Sequence, residues 1–365
     1  MRVVFAGGGT GGHLYPAIAI AHALMKQSSD IEPFFIGARR GIEKDVLPST
    51  GFPYELLELH PLYRSRVWEN WRTVIGALSA WRTIGKRFRE QRPACVVGTG
   101  GYASGLALAY AVAHGIPIVL QEQNSHPGIT ARFFSRWARQ IHVGFPEARR
   151  LLSQKTQAGV CDTGNPIEPP IVPRPDRTEA HARWSFPDGV SVLLVYGGSQ
   201  GAKAINDVVA KWIEGGIPEG LRVIWGTGKK SYDDYAHYDS GTVRVRAYLS
   251  PITEAYAAAD FAISRGGAMA TAELCAWGIP PIVIPLPTAA ADHQTSNARA
   301  LGEAGAAEWV PQSQFTVERL DASVKALLND PAQLEARKRA ALARARPDAA
   351  ASIARSILDL IGLSH

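Results

Sequence analysis

The sequence has 365 residues, of which 46% are hydrophobic and 20% are charged. This composition excludes a disordered chain, and the length exceeds that of one ordinary α/β domain, so we expect two domains. Its three cysteines, Cys95, Cys161 and Cys275, form no CxxC pair, which favours neither a disulfide framework nor a zinc site and indicates a reducing compartment. The net charge of +6 is uneven, with 19 basic against 11 acidic residues in 1–164 and 20 against 22 in 165–365, so we expect different partners for the two halves. We expect no nucleic acid among them.

Strand-like runs recur along the chain, each opening into glycine and then into an alanine- and leucine-rich helical pattern. The first run is too short for a signal peptide, so we expect the chain to stay in the cytosol. The uncharged stretch 93–121 is long enough for a membrane helix, but its glycines and prolines divide it into shorter elements. The predicted strands are Arg2–Ala6, Pro33–Ile36, Ala94–Val97, Ile116–Leu120, Val192–Tyr196, Arg222–Trp225, Phe261–Ser264 and Pro281–Ile284. This alternation predicts parallel sheets covered by helices on both faces.

The pattern repeats once, which predicts two similar α/β domains. The sequence from His114 to Leu120 is echoed by Trp277 to Val283, in both cases a helix that stops at glycine before a proline and a buried strand. Between the halves, residues 165–175 contain five prolines and predict a hinge. We therefore expect domains at 1–164 and 165–347, with a helical tail, 348–365, that crosses back to the first domain.

The first glycine-rich loop, residues 7–13, follows a strand and precedes a helix. Gly7, Gly9 and Gly12 have the GxGxxG spacing, which lets the backbone approach a phosphate at a helix N-terminus. The next strand does not end in the acidic residue of an NAD site. Arg39 and Arg40 leave an NADP-dependent reductase open as an alternative.

Three further loops strengthen the prediction of a phosphorylated ligand. Residues 98–105 and 197–202 are glycine-rich and follow strands, although each alone is also explained by a tight turn. A glycine pair, Gly266-Gly267, opens another helix, where free N–H groups suit a diphosphate. Glu273, about two turns into that helix, is either a solvated carboxylate or the acceptor of both ribose hydroxyls. Loops from two facing domains would line one cleft.

These motifs together carry a resemblance to a known family. Residues 8–13, 98–105, 121–124, 164–166, 197–202 and 266–294 stand in the order and spacing of the MurG family of peptidoglycan N-acetylglucosaminyltransferases. The resemblance implies the GT-B architecture, two Rossmann-like domains whose parallel sheets face across a cleft. It also implies transfer of N-acetylglucosamine, with inversion, from UDP to the 4-hydroxyl of the lipid-linked muramyl pentapeptide, which converts lipid I to lipid II.

The resemblance implies a role for each matching residue. Glu273 would hold the ribose, the backbone of Leu249 the uracil, and Ser199 with Ala268 the diphosphate. The residues implied for the rest of the donor are Thr10, Gly11, Gly12, Asn124, Asn206, His293 and Gln294. Those implied for the acceptor are Gly100, Gly101, Tyr102 and Ser104. Two positions depart from the family: His293 stands where several members have Gln, and Glu168 where Arg often follows Gly-Asn-Pro.

The chemistry needs a base for the acceptor hydroxyl. His13, at the rim of the first loop, is the first candidate because an unperturbed histidine pKa of about 6.5 suits the task. Glu122 is the alternative. The sequence has no Asp-x-Asp, the motif that tethers a divalent metal to a sugar diphosphate, so we expect helix N-termini and loop amides to meet the leaving-group charge without metal or cofactor.

The segment 64–92 predicts contact with a membrane. It holds eight basic and two acidic residues together with Trp68, Trp71 and Trp81, and Val74, Leu78, Trp81 and Phe88 recur at near-helical spacing. An ordinary amphipathic helix packed on the core is the alternative. Because the polyprenyl acceptor stays in the bilayer, we expect peripheral binding to the anionic cytoplasmic face.

Three other functions remain open. One is a different nucleotide-sugar GT-B enzyme, either a glycolipid glycosyltransferase or a UDP-N-acetylglucosamine 2-epimerase. The others are the NADP-dependent reductase and a non-catalytic sensor of sugar nucleotides.

Overall fold

Two parallel β-sheets organise the chain, one in each of two compact units. The computed structural model describes residues 1–59, 70–153, 159–198 and 200–363, with the backbone alone for residues 70–75. The first unit is Met1–Ile167 with Asp348–His365, and the second is Glu168–Pro347. The division falls inside the proline-rich segment in which the sequence predicted a hinge. The parallel sheets confirm the predicted α/β class.

In the described residues of the first unit, seven strands form one parallel sheet in the order β3-β2-β1-β4-β5-β6-β7. Its strands are β1 Arg2–Gly7, β2 Glu32–Ala38, β3 Tyr54–Leu57, β4 Cys95–Gly100, β5 Ile118–Glu122, β6 Gln140–Val143 and β7 Val160–Asp162. The helices before the second unit are α1 Gly11–Gln27, α2 Glu43–Val46, α3 Asn70–Glu90, α4 Tyr102–Ala113 and α5 Ile129–Phe134. The central strands are almost entirely buried because helices cover both faces of the sheet.

The second unit repeats this topology, and its described residues form a sheet of six strands in the order β10-β9-β8-β11-β12-β13. Its strands are β8 Ser191–Tyr196, β9 Leu221–Gly226, β10 Val243–Arg246, β11 Phe261–Ser264, β12 Pro281–Val283 and β13 Glu308–Trp309. Its helices are α6 Arg177–Arg183, α7 Lys203–Glu214, α8 Tyr232–Tyr235, α9 Ile252–Ala258, α10 Ala268–Trp277, α11 His293–Glu303, α12 Val317–Asn329 and α13 Pro331–Arg344.

The C-terminal helix α14, Ala349–Leu360, packs in the first unit. Its apolar face, which includes Ile353 and Ile357, joins the core of β1 and α1. Gln27 Nε2 donates to Ala351 O at 2.9 Å, and Gln140 Nε2 donates to Ser356 O at 2.8 Å. The C-terminal helix therefore contributes to the hydrophobic core of the first unit.

In both sheets the order in which the chain adds strands reverses near the centre, and this reversal marks the position of the candidate site. In the first unit the chain order reverses between β1 and β4, and in the second between β8 and β11. Ligands of open α/β sheets bind outside the carboxyl ends of the strands at such a switch point. The strands β1, β4, β8 and β11 are each followed by one of the glycine-containing loops singled out from the sequence.

Helix α3 shows which side of the segment 64–92 faces the core. Residues 64–69 lie outside the described part of the chain. In the remainder, Phe88 is 4% exposed and belongs to the core, and Trp81 is half-buried with its ring 4.9 Å from that of Tyr110. The predicted lipid-facing stripe was wrong at Phe88, because Ala80, Ile84 and Phe88 share the face that packs on the domain.

Candidate active site

The first glycine loop places His13 in the first turn of α1. Gly7 ends β1, Thr10 is the residue before the helix, and α1 begins at Gly11. Thr10 Oγ1 lies 3.2 Å from His13 Nδ1. His13 is partly exposed, so the loop holds an imidazole at the carboxyl end of the sheet where it is accessible to a ligand.

The second glycine loop packs directly against the first. A Cβ at Gly100 would lie 2.8 Å from His13 Cδ2, and a Cβ at Gly101 would lie 2.2 Å from Gly8 O. Gly101 also has a φ of +78°, a conformation that disfavours residues with a side chain. Glycine is required here because the His13 ring and the Gly8 backbone occupy the space of the missing side chains.

Tyr102 and Ser104, predicted to meet the acceptor, have different positions in α4. The Tyr102 side chain is 36% exposed, and its ring stands beside Gly9. Ser104 is fully buried and its hydroxyl donates to Gly101 O at 2.9 Å. A direct acceptor contact by Ser104 does not agree with this geometry, because the hydroxyl is enclosed and already satisfies the turn that starts the helix.

Glu43, which was not predicted from the sequence, holds the first glycine loop through a hydrogen bond to its backbone. Its Oε2 accepts from Gly9 N at 2.9 Å and its Oε1 accepts from Ala38 N at 3.0 Å, and the side chain is fully buried. A Cβ at Gly8, Gly37 or Gly41 would come within 2.9 Å of this side chain. In a dinucleotide site the second glycine of the motif approaches the pyrophosphate. Here the Gly9 amide is already bonded to a carboxylate, which argues against an NADP site.

Glu122 shapes the loop that carries Asn124. Its Oε1 accepts from Asn124 N and its Oε2 accepts from Gly128 N, both at 2.9 Å. Glu122 is 4% exposed, and burial raises the pKa of its carboxyl. Because both oxygens are engaged and access is poor, the geometry favours His13 over Glu122 as the group that meets an acceptor hydroxyl.

A buried amide network joins this loop to the Gly-Asn-Pro motif. Asn165 Nδ2 donates to Gln123 O at 3.0 Å, and Gln121 Nε2 donates to Asn165 Oδ1 at 3.2 Å. Gln123 Nε2 donates to Thr99 O at 2.8 Å. The motif residues 121–124 and 164–166 therefore hold one another in the first unit, a structural role that their sequence separation concealed.

In the second unit, the loop after β8 packs against the end of β9. Ser199 lies outside the described residues, so its predicted diphosphate contact stays a prediction. Asn206 is fully buried: its Nδ2 donates to Thr227 O at 2.8 Å and its Oδ1 accepts from Trp225 Nε1 at 3.0 Å. The predicted sugar contact by Asn206 does not agree with this geometry, because the nitrogen and the oxygen of its side-chain amide both form hydrogen bonds inside the domain.

Glu273 lies on α10, which begins at Ala268 directly after the glycine pair. Its Oε2 accepts from the hydroxyl of Tyr256 at 2.7 Å. Burial raises the pKa of this carboxyl, the Tyr256 bond lowers it, and the negative charge of Glu168 raises it again. Glu168, the departure from the family pattern, is thus close enough to act on Glu273.

The loop after β11 also meets the start of α11. A Cβ at Gly266 would lie 2.5 Å from Gln294 O, and Asn297 Nδ2 donates to Gly266 O at 3.0 Å. Gln294 Oε1 accepts from Leu286 N at 3.0 Å, and His293 Nδ1 lies 2.7 Å from Ala290 O. The structure thereby places the backbone of Gln294 beside Gly266 of the glycine pair, and His293 precedes Gln294 at the start of α11.

Leu249 lies at the rim of a shallow pocket of the same unit. The pocket is also lined by Trp184, Tyr248 and Ser250. The Leu249 side chain is 8% exposed and packs over Gly226, where a Cβ would lie 3.0 Å from Leu249 Cδ1. This anchors the backbone of Leu249 at the carboxyl end of β9.

Neither a membrane-spanning helix nor a cluster of metal ligands occurs in the described residues. None of the helices in residues 1–59, 70–153, 159–198 and 200–363 has the length and apolar character needed to span a bilayer. Within the same ranges, no group of three or more His, Cys, Asp or Glu side chains is placed to hold a metal ion.

Comparison with known proteins decides the family. Residues 3–143 match the glycosyltransferase family 28 N-terminal domain, and residues 192–353 match the glycosyltransferase family 28 C-terminal domain. The chain belongs to glycosyltransferase family 28.

Curated members of this family resemble the chain over nearly its whole length. Proteins named UDP-N-acetylglucosamine--N-acetylmuramyl-(pentapeptide) pyrophosphoryl-undecaprenol N-acetylglucosamine transferase are 35% identical in Desulforamulus reducens (98% of each chain) and 38% identical in Desulforudis audaxviator (99% of each chain). Among solved structures, Acinetobacter baumannii MurG has a TM-score of 0.79 at 25% identity, covering 98% of this chain and 99% of that one. The resemblance to the MurG family predicted from the motifs is confirmed, as is the GT-B fold class.

The fold alone is shared more widely. A Staphylococcus aureus MnaA-UDP co-structure has a TM-score of 0.65 at 14% identity, covering all of this chain and 98% of that one. An identity this low carries no functional argument for the chain.

Proposed function

We propose that the chain is an inverting glycosyltransferase that moves N-acetylglucosamine from UDP to the 4-hydroxyl of the muramyl pentapeptide on undecaprenyl pyrophosphate. The observation that carries this function is full-length relatedness at 35–38% identity to transferases of that name, together with glycine-containing loops at the switch point of each sheet. An epimerase or reductase has no comparable support, and the engaged Gly9 amide argues against the reductase.

The second unit supplies the donor site in this proposal. Glu273 accepts the ribose hydroxyls and the backbone of Leu249 meets the uracil. The N-terminus of α10 at Ala268, with Ser199, meets the diphosphate, where oriented backbone dipoles stabilise the negative leaving group. His293 and Gln294 contact the sugar, a role supported by the position of the Gln294 backbone beside Gly266.

The first unit supplies the base and the acceptor surface. His13 removes the proton of the attacking hydroxyl, since its imidazole is accessible and fixed by Thr10 and Gly100. In the second glycine loop and the start of α4, the residues that meet the acceptor are Gly100, Gly101 and Tyr102. In the first glycine loop, the residues that meet the donor are Gly11 and Gly12. Asn124 is presented by Glu122, which acts as a positioning residue.

We also propose peripheral binding to an anionic bilayer through the first unit. In α3, Leu78 is 59% exposed and stands among the exposed Arg82, Lys86 and Arg89. Helix α5, which like α3 packs on α4, exposes Phe133 and leads into Trp137. Exposed apolar and cationic side chains together favour an anionic interface.

The experiment that tests the function class is acceptor-dependent release of UDP. We expect UDP to appear from UDP-N-acetylglucosamine only when a muramyl-pentapeptide lipid analogue is present. A hydrolase or epimerase reaction would release or isomerise the donor without that acceptor, and such a result would contradict the proposal.

A further inference from the structure

A chain of two buried tyrosines supports the carboxylate of Glu273. Tyr256, on α9, is 2% exposed and donates to Glu273 Oε2 at 2.7 Å. Tyr196, the last residue of β8, is 6% exposed, and its hydroxyl lies 3.1 Å from that of Tyr256. Three elements that meet at the switch point of the second sheet therefore converge on one carboxylate.

The direction of the hydrogen bonds in this chain follows from the donors available. An ionised carboxylate only accepts, so Tyr256 must use its single proton toward Glu273. The Tyr256 oxygen then accepts from Tyr196. Burial raises the pKa of both phenols, so both stay protonated and both O–H groups point along the chain toward Glu273.

This arrangement leaves one carboxylate oxygen for an incoming ligand. Oε2 is engaged by Tyr256, whereas no side-chain or backbone donor to Oε1 is found in the described part of the chain. A carboxylate held at one oxygen cannot rotate freely, and the bond opposes the burial that would otherwise favour the neutral acid. Both effects prepare Glu273 to accept hydrogen bonds from neighbouring hydroxyls.

We propose that Tyr256, oriented by Tyr196, is a positioning residue that makes Glu273 an acceptor for the ribose of the donor nucleotide. The proposal rests on the ribose role given to Glu273 above. Tyr256 does not touch the nucleotide, and its effect is transmitted entirely through the carboxylate. Removing its hydroxyl therefore weakens UDP binding only while Glu273 is present.

The test is a double-mutant cycle on UDP affinity, measured by calorimetry for the parent, Tyr256→Phe, Glu273→Gln and the double variant. We expect Tyr256→Phe to weaken binding about fivefold to tenfold, the net effect of one ordinary hydrogen bond, because the carboxylate stays but loses the bond that orients it. In the Glu273→Gln background we expect less than about twofold. Equal weakening in both backgrounds, or none in the parent, would overturn the proposal.

Controls separate this effect from loss of stability. Tyr235→Phe removes another buried phenol hydroxyl of the same unit, one that donates to Asp207 Oδ1 at 2.6 Å, and we expect unchanged UDP affinity. If Tyr256→Phe fails to fold, Tyr196→Phe tests the same chain, with about twofold to threefold weakening that disappears in Glu273→Gln. Unchanged UDP affinity in Tyr196→Phe would then overturn the proposal. Unchanged affinity in Glu273→Gln itself would instead remove the ribose role on which it rests.

Discussion

Replacement of Glu43 by glutamine tests whether a buried carboxylate builds the first glycine loop. Glu43 accepts from Gly9 N and Ala38 N and is fully buried. In Glu43→Gln, one of these amides faces the new NH₂ group, so one buried N–H and one side-chain donor lose their acceptors. At about 1–3 kcal/mol for each unsatisfied group, we expect a loss of about 2–6 kcal/mol in the free energy of unfolding.

The assay is urea unfolding, with Glu58→Gln as the matched control. Glu58 lies near Glu43 in sequence, but its side chain is 49% exposed and pairs with Arg39 at 3.4 Å, so its loss should cost less than about 0.5 kcal/mol. We expect the Glu43 variant also to lose turnover, because His13 is presented by the same loop. A Glu43→Gln protein as stable as the Glu58→Gln control would refute the reasoning.

The remaining predictions address the base, the carboxylate of Glu273 and the membrane surface. His13→Ala should lower turnover by roughly 10²–10⁴ with UDP affinity unchanged, measured by steady-state kinetics and calorimetry, whereas a loss below about tenfold would assign the proton transfer elsewhere. Burial and the charge of Glu168 raise the pKa of Glu273, so UDP affinity should fall on acidification at a higher pH than protonation of an ordinary glutamate would give. In Glu168→Gln this loss of UDP affinity should occur at lower pH. The same pH dependence in both proteins would contradict the prediction. Leu78→Ser with Arg82→Glu and Lys86→Glu should reduce co-sedimentation with anionic vesicles, while Arg40→Glu with Lys44→Glu in the same unit should not; equal loss in both would indicate a general charge effect.

The repeated strand–loop–helix pattern made the architecture predictable. All eight strands expected from the sequence occur, because apolar runs that end at glycine are typical of strands in a buried parallel sheet. The missed strands, such as β3 and β13, are short or carry polar residues at a sheet edge. Their pairing depends on the neighbouring strand rather than on their own pattern.

The site was predictable where a motif is local and unpredictable where it depends on a distant partner. Glycine-rich runs indicate tight strand-to-helix turns by themselves, so the loops before α1 and α4 and the start of α10 were predicted from the sequence. Gly9 lies 34 residues from Glu43 and Tyr256 lies 17 residues from Glu273, and only the topology brings each pair together. For the same reason the internal bonds of Asn206 were invisible in the sequence.

The most direct measurement of the central claim is analysis of the product formed from labelled UDP-N-acetylglucosamine and a muramyl-pentapeptide lipid analogue. The proposed reaction predicts one labelled sugar per acceptor, joined to the muramyl 4-hydroxyl with inverted anomeric configuration by nuclear magnetic resonance, and its near absence with His13→Ala. Label that remains in the nucleotide, enters another hydroxyl, or appears with retained configuration would contradict the account.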